Sequence, residues 1–204
     1  MLALHEELRS VFGILCHCTS DNWRRVMRRI FIAIAFSALL IQKATAQKNT
    51  SAMSRHYGHG IPPLSPLKNL DNKTFNIPAP RGHWTLLYFW ADWCVPCIKE
   101  GIPELAAFVR SNPKVFPNVQ IIAIRFNSKE EAGDWNLFKS TTEGLENTLW
   151  HGPLPFPVVY DASTKMTSDW GIHELPTYAL IDPNGNLVPD GNLKMLKEKI
   201  KTKQ

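Results

Sequence analysis

Apolar and polar positions follow two different periods along the chain, and they predict strands alternating with helices. Near-continuous apolar runs at 83–91 and 119–126 are typical of central strands that are covered on both faces. The residues after the first run, 95–110, carry apolar side chains at helical spacing. The pattern therefore predicts a buried strand that leads directly into an amphipathic helix.

Shorter segments complete the order of elements. We predict a hairpin around Asp71–Lys73, a helix within 129–149 interrupted at Gly144, a strand at 156–161, a short helix ending at Gly171, a hairpin around Pro183–Gly185, and a closing helix at 192–201. The order is β-hairpin, β, α, β, α, β, α, β, β, α. Such alternation predicts the α/β class, with one sheet covered by helices on both faces.

The N-terminal residues have the pattern of an export signal. Arg28 and Arg29 follow Met27, an apolar run occupies 30–41, and Ala44-Thr45-Ala46 ends the segment. The run is shorter than the roughly 20 residues that span a bilayer. We expect Met27 to be the true start and 1–46 to be removed as upstream segment and signal peptide. We then expect a flexible leader at 47–63, a folded domain at 64–204 and a periplasmic or otherwise extracytoplasmic location; an uncleaved anchor is the alternative.

Composition and charge exclude one large class of partner. The chain has 204 residues, of which 44% are hydrophobic and 20% charged, as expected for a single globular domain. From Gln47 onward there are 17 basic and 15 acidic residues, which is no electrostatic footprint for nucleic acid. We expect a monomer that binds no nucleic acid.

The number and spacing of the cysteines limit the kinds of site that they can form. Cys16 and Cys18 precede Met27, so the mature chain would keep only Cys94 and Cys97. Two cysteines cannot form a four-cysteine zinc site, and a disulfide across two residues closes too short a loop to stabilise the fold much. A reversible dithiol/disulfide couple remains. We expect no metal and no dissociable cofactor.

The two cysteines are predicted to have unequal roles. Cys94 lies at the junction of strand and helix, where unpaired N–H groups and the helix dipole favour a thiolate. We assign it as the attacking thiol. Cys97 lies one turn inside the helix, is expected to be the more buried sulfur, and is placed to resolve a mixed disulfide.

The segments FWADWCVPC and ELPTYALIDPNGNLV together resemble the thioredoxin superfamily. The export signal, the N-terminal hairpin and an insert around 127–155 are similar to its extracytoplasmic TlpA/ResA-like branch. The resemblance covers 64–204 and implies a thioredoxin-like fold with a central mixed sheet. It also implies a cis peptide bond before Pro176 and client binding by the backbone around Leu175 and Thr177. Separately, the position of Trp93 beside Cys94 predicts that it covers the active face and contacts the partner.

Three positions near the cysteines deserve comparison with that family. Cytoplasmic thioredoxins have a buried aspartate six residues before the first cysteine, where this chain has Tyr88. The TlpA/ResA-like branch has a glutamate three residues after the second cysteine, and Glu100 matches it, which implies a catalytic carboxylate coupled to the thiols. The helix-kinking proline commonly follows the second cysteine by five residues, but Pro103 follows Cys97 by six, after an extra Gly101.

The resemblance implies an exported thiol–disulfide oxidoreductase, most simply a reductase of protein disulfides. Its partners would be protein clients, such as apocytochrome c or misoxidised envelope proteins, and an upstream membrane electron donor. Two alternatives stay open. One is a Sco-like copper metallochaperone using Cys94, Cys97 and His173, although that family spaces its cysteines by three residues. The other is a peroxiredoxin-type peroxidase, although the P-x-x-x-T/S-x-x-C loop of that family is missing before Cys94.

Overall fold

A computed structural model describes residues 52–114 and 118–201. They belong to one compact unit, Thr50–Gln204. The predictions about the export signal, the start at Met27 and the cysteines at 16 and 18 lie outside the described residues. None of the helices within these ranges is long and apolar enough to cross a membrane.

One six-stranded mixed sheet organises the domain. Its strands are β1 (Leu67–Asn69), β2 (Thr74–Phe75), β3 (Trp84–Trp90), β4 (Val119–Arg125), β5 (Val158–Tyr160) and β6 (Thr177–Ile181), in the order β2-β1-β5-β4-β3-β6. β3 pairs with β4 in parallel and with β6 antiparallel. β1 and β2 pair antiparallel across a turn at 70–73. The central position of β3 follows from its composition, because every residue from Thr85 to Trp90 is buried.

Helices cover both faces of this sheet, as predicted. They are α1 (Ile102–Ser111), α2 (Trp135–Thr148), α3 (Lys165–Asp169) and α4 (Leu193–Lys201). Side chains of β3 alternate between two apolar clusters: Leu86, Tyr88 and Trp90 join one, and Leu87 and Phe89 join the other. The first cluster contains buried residues of α1, α2 and α4, and the second contains Met166 of α3.

Two predicted elements differ from the structure. α2 begins at Trp135, where the Asp134 side chain accepts from the Leu137 N–H at 2.9 Å, and it runs through Gly144 without interruption. A helical glycine costs only about 1 kcal/mol relative to alanine, so Gly144 does not break the helix. The second hairpin keeps its turn, but its outer arm is reduced to a single bridge between Ile181 and Leu187.

Residues 52–63, which we expected to be a flexible leader, pack against the domain. Ala52–His56 form a 3-10 helix in which Met53 is buried. Gly58 N–H donates to the Leu187 carbonyl at 2.9 Å, and the Trp170 indole donates to the Pro63 carbonyl at 3.0 Å. The segment has no apolar period because backbone hydrogen bonds and irregularly spaced apolar side chains, Met53, Tyr57 and Ile61, hold it to the domain.

Candidate active site

The Cys94–Cys97 pair lies where β3 gives way to a helix. After β3 ends at Trp90, the chain turns so that Cys94 N–H donates to the Ala91 carbonyl at 3.1 Å. Helical conformation begins at Val95, and the Ile98 N–H donates to the Cys94 carbonyl at 3.1 Å. Cys94 therefore immediately precedes the first helical residue, where free backbone N–H groups favour an anion.

The two sulfurs are joined in a disulfide. Cys94 is 5% exposed and Cys97 is fully buried, so the predicted order of accessibility is confirmed. The side chains flanking Cys94 are the exposed large apolar residues of the described chain: Trp93 is 63% exposed and Val95 is 56% exposed. An apolar surface of this kind around a reactive sulfur suits contact with a protein partner.

The second predicted motif reaches the same end of the sheet. Thr177, the first residue of β6, pairs with Phe89 near the end of β3, so the loop before β6 and the turn carrying Cys94 lie at one edge. The Leu175–Pro176 peptide bond is cis, and Pro176 is exposed. Leu175 is partly buried and packs against both apolar clusters, which anchors the loop on the core.

The extra residue before Pro103 is accommodated by a π-helical turn at Cys97–Gly101. The Ile102 N–H donates to the Cys97 carbonyl, five residues earlier, instead of the usual four. Such a turn inserts one residue into a helix and is frequent at functional sites. The structure thus explains the displaced proline: one turn is widened and the helix continues into α1.

Tyr88 lies directly beneath this turn. Its hydroxyl lies 3.4 Å from the Cys97 carbonyl, to which it donates, and its ring contacts Tyr178 with centroids 4.8 Å apart. A Cβ at Gly101 would lie 2.0 Å from the Tyr88 hydroxyl oxygen, so only glycine fits there. Burial, and then the neighbouring Tyr178, raise the pKa of Tyr88. The residue that replaces the thioredoxin aspartate is therefore a neutral hydrogen-bond donor at physiological pH.

Glu100 is exposed on the π-helical turn. Its charge is one of the smaller causes that raise the pKa of Tyr88, after burial and Tyr178. The carboxylate is therefore close enough to act electrostatically on Tyr88, whose hydroxyl donates to the Cys97 carbonyl. Its coupling to the thiols stays a prediction.

Arg125 is a buried cation that the sequence interpretation missed. It ends β4 with 1% of its side chain exposed, and it contacts Asp92 at 3.0 Å and Glu131 at 3.5 Å. Its guanidinium also donates to the Asn127 side chain. Asp92, two residues before Cys94, therefore holds the active-site turn to β4. A charged residue ending an apolar run was the available signal.

Trp150 is a second residue that the sequence did not single out. It follows α2, is 4% exposed, and its indole N–H donates to the Ile98 carbonyl at 2.9 Å. Its ring meets Trp90 edge to face, with centroids 5.5 Å apart. No motif marks this contact, because it joins residues 52 positions apart.

The described residues contain no group of three or more His, Cys, Asp or Glu side chains arranged to hold a metal ion. His173 is exposed on the loop before Pro176. It does not join Cys94 and Cys97 in a cluster of three potential ligands in the part of the chain that the structure describes.

A mixed sheet with helices on both faces, a disulfide at the start of a helix, and a cis-proline at the same sheet edge define the class of thioredoxin-like α/β proteins. The model of the AhpC/TSA family matches residues 58–189, or 132 of the 204 residues. The chain belongs to this family.

Proteins similar in sequence or structure to this chain carry the name thiol-disulfide oxidoreductase. Sporulation thiol-disulfide oxidoreductase A of Bacillus subtilis is 24% identical over 127 residues, covering 62% of this chain and 69% of that protein. Thiol-disulfide oxidoreductase ResA of Bacillus cereus is 29% identical over 120 residues, or 59% of this chain and 61% of that protein, which is less than two thirds of its length. The solved thiol-disulfide oxidoreductase of Bacteroides fragilis matches with a TM-score of 0.52 at 22% identity, covering 70% of this chain and 98% of that one. The predicted resemblance to ResA-like thioredoxin relatives is confirmed.

Proposed function

We propose that this protein is a thiol–disulfide oxidoreductase that reduces disulfides in protein clients outside the cytoplasmic membrane. The single observation that carries the proposal is the Cys94–Cys97 disulfide at the start of a helix, with its more exposed sulfur between Trp93 and Val95. The names of the similar ResA protein and of sporulation thiol-disulfide oxidoreductase A support the same chemistry.

The first step is attack on the client. The thiolate of reduced Cys94 attacks one sulfur of a client disulfide, a Cys94–client bond forms, and the other client sulfur leaves as a thiolate that takes up a proton. Trp93 and Val95 supply apolar contact with the client. The backbone around Leu175, Pro176 and Thr177 aligns the client chain at the same sheet edge.

The second step releases the client. Cys97 loses its proton, attacks the Cys94 sulfur and displaces the client thiolate, so the client leaves with two thiols and the pair becomes a disulfide. Two electrons have passed from the pair to the client. An upstream membrane dithiol donor then restores Cys94 and Cys97, and Glu100 adjusts the protonation of the thiols during the cycle.

Location and clients follow from the export pattern and the resemblance. Export through the signal at 27–46 would place the domain where apocytochrome c and misoxidised envelope proteins present disulfides. N-terminal sequencing of the native protein checks this step. A chain recovered from the cytoplasm with residues 27–46 intact would contradict it.

The catalytic assignment is tested by trapping. Full-length Cys97→Ser and Cys94→Ser variants are expressed in the native host, and their adducts are compared on non-reducing gels. Cys97→Ser should accumulate reducible adducts with envelope proteins, because its Cys94–client bond cannot be resolved. Cys94→Ser should accumulate none, because the remaining sulfur is buried.

Two further assays distinguish a disulfide reductase from the two alternatives, a peroxidase and a copper metallochaperone. The purified wild-type protein is assayed for hydroperoxide consumption and for copper binding in its reduced form. Equal trapping by the two variants, or a wild-type protein that consumes hydroperoxide but reduces no protein disulfide, would contradict the proposal. A copper spectrum that depends on His173 would favour the metallochaperone.

A further inference from the structure

The π-helical turn leaves one backbone carbonyl without its helical donor. In a regular helix the Ile98 carbonyl would accept from the Ile102 N–H, but that N–H donates to Cys97. The next donor in a widened turn would belong to residue 103, which is a proline and has no N–H. The carbonyl next to the buried cysteine therefore depends on a partner from elsewhere in the fold.

Trp150 supplies that partner. Its indole N–H lies 2.9 Å from the Ile98 carbonyl oxygen, and its side chain is buried. The contact is partly buried, and a carbonyl that is shielded from water without a partner costs free energy up to that of a lost hydrogen bond. The turn that carries Cys97 thus relies on a side chain beyond the end of α2.

The neighbouring Trp90 can be compared with Trp150, because it is a buried tryptophan whose indole N–H makes no such hydrogen bond. It is fully buried and packs edge to face on Trp150. Its indole nitrogen has no hydrogen-bond partner among the described residues. The two tryptophans therefore share one apolar cluster but differ in whether the indole N–H is used.

We propose that Trp150 is a positioning residue for the thiol pair: its hydrogen bond to the Ile98 carbonyl is stronger in the disulfide form, in which the Cys94–Cys97 bond constrains the π-helical turn, than in the dithiol form. Because the bond favours one redox form, it lowers the reduction potential. This inference rests on the proposed function and deepens it. Trp150 acts through the backbone of the turn and touches no reacting sulfur. Its loss is expected to favour the dithiol form of Cys94 and Cys97.

The experiment compares Trp150→Phe with Trp90→Phe in the full-length protein. Each variant is equilibrated with glutathione, in which the Cys94–Cys97 disulfide and two glutathione thiols give two protein thiols and glutathione disulfide. Trp150→Phe should shift this equilibrium toward the dithiol about fivefold, or about 20 mV at 29.6 mV per tenfold. Trp90→Phe removes a comparable ring without removing a hydrogen bond, and should leave the potential close to that of the wild-type protein.

The outcomes separate the two proposals. A wild-type pair that does not exchange with glutathione would overturn the proposed function itself. A wild-type pair that exchanges, together with equal shifts in the two variants, would overturn only the role of Trp150 and reduce it to packing.

A measurement on the wild-type protein covers the case in which Trp150→Phe does not fold. Hydrogen exchange of the indole protons is followed by NMR in both redox forms. The Trp150 indole proton should be more protected in the disulfide form than in the dithiol form. Equal protection in both forms would overturn the inference.

Discussion

At the scale of single residues, this site has the hydroxyl of Tyr88 at the position where cytoplasmic thioredoxins have a carboxylate. Tyr88 stands where cytoplasmic thioredoxins have a buried aspartate, and its raised pKa keeps it neutral. A neutral phenol is not a base for the Cys97 proton, and its hydroxyl here donates a hydrogen bond to the Cys97 carbonyl. After Cys97, the first residue along the chain with a carboxylate is Glu100, which is exposed on the same turn.

The first prediction concerns this glutamate. A negative charge near a thiol disfavours the thiolate, so Glu100→Gln should lower the apparent pKa of Cys94 in the reduced protein. Alkylation of Cys94 should then be faster on the acidic side of its titration. The measurement is the alkylation rate between about pH 4 and 9, the range over which such thiols titrate.

Glu104→Gln is the matched control for this prediction. Glu104 also contributes to the raised pKa of Tyr88, but it lies one turn further along, in α1, and pairs with Lys197 at 2.8 Å. The control should leave the alkylation profile unchanged. Identical profiles for Glu100→Gln and the wild-type protein would make Glu100 a solvated surface residue.

At the scale of elements, the widened turn and Tyr88 are fitted to each other through Gly101. Gly101 and Gly144 both lie inside helical segments, but their surroundings differ. A Cβ at Gly101 would lie 2.0 Å from the Tyr88 hydroxyl oxygen, whereas a Cβ at Gly144 meets nothing within 4 Å. The same substitution therefore has opposite expected effects at the two positions.

The second prediction uses this pair. Gly101→Ala should destabilise the oxidised protein by about 1–3 kcal/mol, as overpacking a buried site does. Gly144→Ala should stabilise it by up to about 1 kcal/mol, because alanine is the better helix former. The measurement is the free energy of unfolding in urea. Equal effects at the two positions would mean that the turn moves freely away from Tyr88.

Local patterns in the sequence predicted the elements that carry the site, but not the contacts between distant elements. The apolar runs of β3 and β4 and the cysteine motif after β3 were predictable, because strand burial and helix start are local patterns. The contacts of Trp150 with Ile98 and of Arg125 with Asp92 were not, since they join residues 52 and 33 positions apart. Packing of residues 52–63 was missed because the segment is held by backbone hydrogen bonds and by apolar side chains at irregular spacing, which give no helix or strand period.

At the scale of the whole molecule, buried tyrosines link stability to alkaline pH. Burial is the main cause that raises the pKa of Tyr88, Tyr160 and Tyr178 above the ordinary value of 10.0. Above that value the unfolded chain loses these protons while the folded chain keeps them. Folded protein then binds more protons than unfolded protein, so stability falls as pH rises.

The third prediction follows from this decrease of stability with rising pH. The free energy of unfolding should decrease above about pH 10, where unfolded tyrosine ionises. Tyr178→Phe removes one of the three groups and should make the decrease smaller. The measurement is urea unfolding at several pH values, with tyrosine ionisation followed by absorbance. A free energy of unfolding that stays constant through this range would contradict the linkage.

The segment at 52–63 also lies beside one edge of the sheet. β6 is the last strand of the sheet, and an uncovered edge strand is a template for pairing with other chains. Here Leu187 bridges Ile181 of β6, and Tyr57 bridges Leu187 in turn. The Gly58 N–H and the Gly60 carbonyl complete that pairing at 2.9 Å each. Residues 57–60 therefore cover the Ile181 end of this edge strand, where they occupy backbone groups that another chain would need for pairing.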